Sequence, residues 1–268
     1  MVVVLWIHYF YIDSMRVVVL SSGSKGNTTF VETENHKILI DFGMNTKYTK
    51  DNLEKLNKDI NQIDYIFLSH THKDHVGGLE IFLHKYQPYV CLSEKMFEDL
   101  PYLKDYDKTV IYNDKIILSD VEITLFKTSH DTDSRGFVFE SNNKSFVFVT
   151  DTGYINSKYF KLLANKELYI IESNHDPEKL RYSKYPLWLQ NRILSDYGHL
   201  SNKMTGFYLS KLIGNRTKKV ILAHLSEENN STSLALGTVK SILKENNIEL
   251  IDIIVAKQSE MLDEVILW

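Results

Sequence analysis

The stretch "LSHTHKDHVGGL", Leu68 to Leu79, places His70, His72, Asp74 and His75 within six consecutive residues at the end of an apolar run. Two imidazoles at i and i+2, directly after the strand-like "IDYIFL", can be turned toward one point by a short loop. Asp74 and His75 then fall at the start of a helix. Imidazole nitrogen with carboxylate oxygen is a ligand set for zinc, manganese or iron, and the absence of cysteine there argues against a structural zinc staple. A merely solvated loop does not need three histidines entered by an apolar strand and left by "VGGL".

Outward from this stretch the chain alternates strand and helix signals. "RVVVL", "TTFVE" and "KILIDF" read as strands separated by the turn-rich "SSGSKGN" and "TENH". Helical spacing follows in "TKDNLEKLNK" and "VGGLEIFLHKY". Strands return in "YVCL", "KTVIY", "VEITLFKT", "RGFVFES" and "KSFVFVTD", the last two joined by an asparagine-rich hairpin turn. "ELYIIES", a helical region from about Pro177 to Gly214, "KKVILAHLS", a helix over "STSLALGTVKSILKENN" and the strands "IELIDIIVA" and "DEVILW" complete the chain. Two batches of strands, each with helices, predict an α/β fold: a four-layer αββα sandwich with two mixed sheets face to face and helices outside.

The 268 residues, 43% of them hydrophobic, suffice for one large core, and no Pro/Gly-rich linker or repeat divides them. We expect a single domain over 15–268. Residues 1–14 read as an N-terminal extension from a mis-assigned start, since Met15 opens a clean strand; a short added strand is the alternative. That apolar segment is shorter than the roughly 20 residues a membrane span needs and lacks a basic leader region. The one cysteine, Cys91, excludes an intramolecular disulfide and fits a buried position in a reducing, cytoplasmic setting. A formal charge of -4 gives no global attraction to nucleic acid, so any basic binding surface must be local.

"HTHKDH" resembles the H-x-H-x-D-H signature of the metallo-β-lactamase fold superfamily, and further signatures follow in order: Asp41 in "LIDFG", His130 in "KTSHD", Asp151 in "VTDTG" and His224 in "LAHLS". "SSGSKGN", "ESNHD", "RILSDYGHLSN" and "AHLSEENN" look closest to its YycJ/WalJ group, which implies 5′-to-3′ DNA exonuclease activity. More distantly the motif order is similar to ribonuclease Z. The resemblance implies two divalent cations, Zn2+, Mn2+ or Fe2+. His70, His72 and His130 would hold one, Asp74, His75 and His224 the other, and Asp151 would bridge them. Two cations about 3.5–4 Å apart can share a hydroxide and clamp both oxygens of a phosphodiester displacement. Asp41 is expected to hydrogen-bond a ligand or fix the loop after His70; a strand-end turn cap is its alternative role.

Three features favour phosphodiester chemistry. His199 in "YGHLSN" resembles the histidine that assists the leaving group in ribonuclease Z relatives, making it, with Asp74, a catalytic candidate; a place beside a helix cap is its alternative role. The "SSGSKGN" turn, with Ser24, Lys25 and Asn27, can present backbone N–H groups to a 5′ phosphate, or be no more than a tight turn. "KLRYSKYPLWLQNR" interleaves Lys179, Arg181, Lys184 and Arg192 with Tyr182, Tyr185 and Trp188, as single-strand binding surfaces do and as solvated helices with an aromatic edge also do. "IIESNHD" adds Asn174 and His175 as candidate pocket residues, with no role for Glu172 defined. His8, His36 and His84 lie outside the motifs and read as structural. The competing functions are an RNA-processing nuclease of the ribonuclease Z type and a small-molecule hydrolase of the thioesterase or lactonase kind; the oligomeric state is not encoded legibly.

Overall fold

The computed structural model describes residues 14–248 and 251–267, so the expected N-terminal extension lies, except for Ser14, outside the described residues. The first sheet has the order β14-β1-β2-β3-β4-β5-β6. It comprises β1 (Met15–Ser21), β2 (Thr28–Glu32), β3 (Lys37–Ile40), β4 (Tyr65–Phe67), β5 (Tyr89–Leu92), β6 (Thr109–Ile111) and β14 (Val265–Leu267). The second has the order β13-β12-β11-β10-β9-β8-β7, from β7 (Lys115–Ile117), β8 (Glu122–Lys127), β9 (Arg135–Ser141), β10 (Lys144–Val149), β11 (Leu168–Glu172), β12 (Lys219–Ala223) and β13 (Asp252–Val255). Both are mixed: β3 to β6 and β10 to β13 run parallel, and the remaining neighbours are antiparallel.

Side-chain alternation explains the layering. Along β10, β11 and β12, Phe146, Phe148, Leu168, Ile170, Ile221 and Ala223 pack into the core between the sheets. Their neighbours Val147, Val149, Tyr169, Ile171, Val220 and Leu222 pack on the other face with Leu209, Leu212, Val239 and Leu243 of two helices, Asn202–Leu212 and Thr232–Glu245. A period of two with both sets apolar is the pattern of strands buried on both faces. Phe67 of the first sheet meets Phe137 and Phe139 of the second edge-on, at centroid distances of 6.0 and 6.1 Å, which closes the sandwich. Helices Thr46–Lys55 and Leu79–Leu83 add Leu53 and Phe82 to the same core.

The helical region expected over Pro177–Gly214 is three helices, Pro177–Arg181, Leu187–Leu194 and Asn202–Leu212. Pro186 lacks an N–H and disfavours helix in the residue before it, which breaks the first from the second. Ser201 starts the third, its hydroxyl accepting from Met204 N at 3.3 Å. β7 and the helices Glu94–Asp99 and Phe160–Leu163 were not legible, being too short to show a period.

Glycines pack the "DFG" and "VGG" segments together. A Cβ on Gly43 would lie 1.8 Å from Asp74 O, and one on Gly78 2.0 Å from Met44 O. The two loops are tied by Phe42 N donating to His75 O (2.8 Å) and Gly78 N donating to Phe42 O (3.0 Å). Gly43→Ala is therefore expected to cost about 1–3 kcal/mol through backbone displacement. Gly237→Ala, in an exposed helix interior with nothing within 4 Å of the new methyl, should gain about 0.5–1 kcal/mol. Thermal or urea unfolding of the two variants checks both signs.

Candidate metal centre

Strand ends deliver the polar cluster. Asp41 follows β3, Asp151 follows β10 and His224 follows β12, and all three adopt left-handed backbone conformations, with φ of 61°, 54° and 55°. Such φ values cost energy in residues with a Cβ, and they persist where surrounding structure fixes them. His70 and His72 lie in the loop after β4, while Asp74 and His75 open the short helix Lys73–Val76. His130 comes from the loop between β8 and β9.

These side chains converge. His70, His72 and His130 bring one nitrogen each within 4.8 Å of one another, and so do the donor atoms of Asp74, His75 and His224. Asp151 belongs to two further groupings, with His70 and His75 on one side and with Glu172, His199 and His224 on the other. His70 Nε2 and Asp151 Oδ2 are buried without a hydrogen-bond partner among the described residues. His70, His75 and Asp151 offer donor atoms within 4.8 Å of one another, Asp151 Oδ2 lying 3.2 Å from His75 Nε2, and buried nitrogens grouped with a carboxylate in this way fit a divalent cation.

Ring orientation follows from what lies behind each histidine. Asp41 Oδ2 accepts from His75 Nδ1 (2.7 Å), and the same carboxylate takes Ser69 N and Ser69 Oγ, each at 2.7 Å. The Ser69 hydroxyl, having donated to Asp41, can accept from His70 Nδ1 at 3.0 Å. Gly198 O can only accept, so His130 Nδ1 carries its proton (3.2 Å). Glu172 Oε1 accepts from His224 Nδ1 (2.9 Å) and His199 Nδ1 (2.8 Å), and Oε2 from Thr152 N (3.1 Å) and Leu200 N (3.0 Å). Each of these five imidazoles therefore turns Nε2 away from its partner, with a lone pair when neutral.

Charge is concentrated here. Burial alone would raise Asp74 and Asp151, but the surrounding histidines hold both carboxyls well below the usual range. Glu172 is likewise raised by burial, and His199 and His224 bring it down to about 2. Burial would lower His75 and His224, yet the facing carboxylates push both well above ordinary imidazole values. Burial lowers His70, aided by the neighbouring His75 charge, and it lowers His130 too.

The other residues singled out from sequence divide. A cavity of about 260 Å3 beside the cluster is lined by Ser24, His72, Asp74, Asp151, Asn174, Arg192, His199 and His224, with Tyr185. Asn27 turns inward, its Nδ2 lying 2.9 Å from His75 Nε2 and 3.2 Å from Asp74 Oδ2. Asn174 holds the loop below, donating to His224 O at 2.9 Å. Lys25 instead pairs with Glu227 at 2.9 Å and lines a neighbouring cavity. Arg181 and Lys184 are exposed and do not line the 260 Å3 cavity. The His175 ring is buried with both nitrogens unpartnered among the described residues, and burial takes its pKa down to about 4. Sequence reasoning gave no role to Glu172 or to Asp131, which lies 3.3 Å from His72 Nε2 and is paired with Arg192. An acid ending an apolar strand one residue before "SNHD" was the available signal for Glu172.

Residues 22–224 match the family described as the metallo-beta-lactamase superfamily. The chain is 37% identical over 238 residues to exodeoxyribonuclease WalJ of Streptococcus pneumoniae, covering 86% of this chain and 88% of that protein. It is 34% identical over 233 residues to exodeoxyribonuclease YycJ of Bacillus anthracis, covering 85% and 88%. The crystal structure of the metallo-beta-lactamase fold protein YhfI from Bacillus subtilis superposes with a TM-score of 0.71 at 16% identity, over 94% of this chain and 100% of that one; this shows the fold.

A cation held by His75 and His224 would have to displace their protons, so loading metal-free protein at pH 7 should release protons and bind more tightly as pH rises. Calorimetry in two buffers of different ionisation enthalpy reads this directly; equal heats would contradict it. Asp41→Asn should lower metal affinity about 10–100-fold, by analogy with other outer partners of ligating histidines, as measured by chelator competition.

Proposed function

The chain belongs to the metallo-beta-lactamase superfamily, and we propose that it is a divalent-metal-dependent phosphodiesterase acting as a 5′-to-3′ DNA exonuclease. His70, His72 and His130 would hold one cation and Asp74, His75 and His224 a second, with Asp151 serving both. The observation that carries this reading is the position of Asp151, whose carboxylate belongs to groupings on both sides of the cluster. The relatives that carry the name exodeoxyribonuclease, each matched over most of its length, support DNA as substrate. Zinc and manganese both suit these nitrogen and oxygen donors. The cations, when bound, supply a nucleophile near neutral pH by acidifying water and offset charge on the phosphoryl oxygens.

The protein's own residues do the rest. Asp41 and Glu172 fix the tautomers of His75 and His224, so that Nε2 is the ligating atom in both. His199 is not needed as a ligand in this division. With Nδ1 tied to Glu172, its Nε2 is the nitrogen available to protonate the departing 3′ oxygen as a general acid. Ser24 on the cavity rim is the candidate to meet a 5′ phosphate, while Arg192, held by Asp131, walls the other side. No helix among the described residues is long and apolar enough to cross a membrane. The buried Cys91 thiol suits a reducing compartment, and we place the protein in the cytoplasm.

Digestion of a duplex with a 5′ phosphate and a 3′ label, by metal-loaded protein, should give products shortening from the 5′ end, and Asp74→Ala should give none. Activity retained by Asp74→Ala, or cleavage confined to RNA, would overturn the assignment. His199→Ala should lower kcat about 10²–10⁴-fold while keeping full metal content. A loss of metal in that variant would make His199 a ligand rather than an acid.

A further inference from the structure

Next to the metal centre lies a second cleft that the proposed chemistry does not use. A cavity of about 470 Å3 begins at His130 and Asp131 and is walled by Lys95, Lys127, Lys158, Tyr154, Tyr159 and Tyr197. It continues, through the shared Lys95, Lys127, Asp133 and Tyr159, into one of about 770 Å3. Asp131 lines this cleft and its partner Arg192 lines the metal-side cavity, so the ion pair stands between the two.

The 470 Å3 part of the cleft is cationic in effect, whereas the 770 Å3 part is also lined by Glu94 and Asp114. The two aspartates of the 470 Å3 part are already engaged: Asp131 by Arg192, and Asp133 by Arg135 at 2.8 Å and the Ser93 hydroxyl at 2.6 Å. The ammonium groups of Lys95 and Lys127 make no salt bridge or hydrogen bond among the described residues, and that of Lys158 lies over the Tyr159 ring at 4.8 Å. Tyr154 and Tyr197 are 38% and 63% exposed, far more than buried aromatic rings of a core. Free cations interleaved with exposed aromatic faces bind unpaired nucleotides, phosphates on the former and bases on the latter. A duplex keeps its bases stacked on one another and offers no face to Tyr197.

We propose that this cleft is the track for single-stranded nucleic acid leading to or from the metal centre, with Lys95, Lys127 and Lys158 on phosphates and Tyr154 and Tyr197 on bases. The proposal deepens the nuclease reading and rests on it. The strand enters beside His130, passes the Asp131–Arg192 pair and reaches the cavity where Asp74, Asp151 and His199 lie.

The test is steady-state cleavage of a long single-stranded oligonucleotide at several salt concentrations by three variants: Lys127→Ala/Lys158→Ala, Lys127→Arg/Lys158→Arg and Tyr197→Ala. All three substituted side chains are exposed, and matched melting temperatures verify the fold. The double alanine variant should raise KM about tenfold with kcat within about twofold, and the double arginine variant should restore KM. The slope of log(kcat/KM) against log[salt] should become shallower by about 1.4 in the alanine variant, two single-strand phosphate contacts having been removed. Tyr197→Ala should raise KM without changing the slope. An unchanged KM and slope, or a fall in kcat at constant KM, would overturn the track. If the wild type degrades no DNA, the exonuclease reading fails instead. The same variants compared by fluorescence anisotropy of a labelled oligonucleotide then decide the track, which stands if the salt slope differs and falls if it does not.

Discussion

Everything at this site depends on where the imidazole protons sit. A histidine with two free nitrogens can turn either to a cation, and a cluster of such rings has many competing arrangements. Here the far nitrogen of His70, His75, His130, His199 and His224 meets an acceptor: a serine hydroxyl, Asp41, a backbone carbonyl and, twice, Glu172. One tautomer is thereby selected for each ring before any ligand arrives. Buried carboxylates and imidazoles in contact are costly in a low-dielectric interior unless opposite charges offset them. The acids hold protons on His75 and His224, and cations compete for those same lone pairs. Proton and metal are thus alternative ways of stabilising one arrangement.

The sandwich supplies the rigidity that this selection requires. Asp41, Asp151 and His224 each stand just past a strand whose side chains pack in the core, so their backbones cannot drift. Their positive φ values turn the chain at that point and keep the side chains at the rim of the sheets rather than along the strand. Close glycine contacts press the Asp74–His75 helix onto the loop carrying Gly43, which sets the second group of candidate ligands against the first. Burial on both faces of β10, β11 and β12 means that a one-residue slip would exchange two different apolar surfaces, and the helices outside would no longer fit.

Legibility in the sequence followed locality. "HTHKDH" packs four candidate ligands into one loop, and the alternating apolar strands of "KSFVFV" and "LYIIE" announce sheet layers from a few residues each. The two-sheet architecture was therefore readable, as was the hairpin at Asn142–Asn143, where both residues take positive φ. Elements of three to six residues such as β7 and Glu94–Asp99 were not, because a period needs more than one turn or two alternations to show. Roles that depend on distant contacts were equally hidden. Glu172 gains its meaning only when β11 brings it to His199 and His224, and Lys25 looked like an anion ligand until the fold paired it with Glu227. Lys95, Lys127 and Lys158 come from three separate segments, and each alone is an ordinary surface lysine.

Glu172 also links two jobs that the sequence presents separately. Its one oxygen, Oε1, accepts from both His199 and His224, while Oε2 is fixed by the amides of Thr152 and Leu200. The amide of Thr152 directly follows Asp151 and that of Leu200 directly follows His199, so the carboxylate is pinned by the same loops it organises. A ring that binds a cation through Nε2 draws electron density from its Nδ1–H, strengthening that hydrogen bond and leaving Oε1 less basic toward His199. One buried carboxylate thus ties the position of the His199 ring to that of His224 on the metal side of the site.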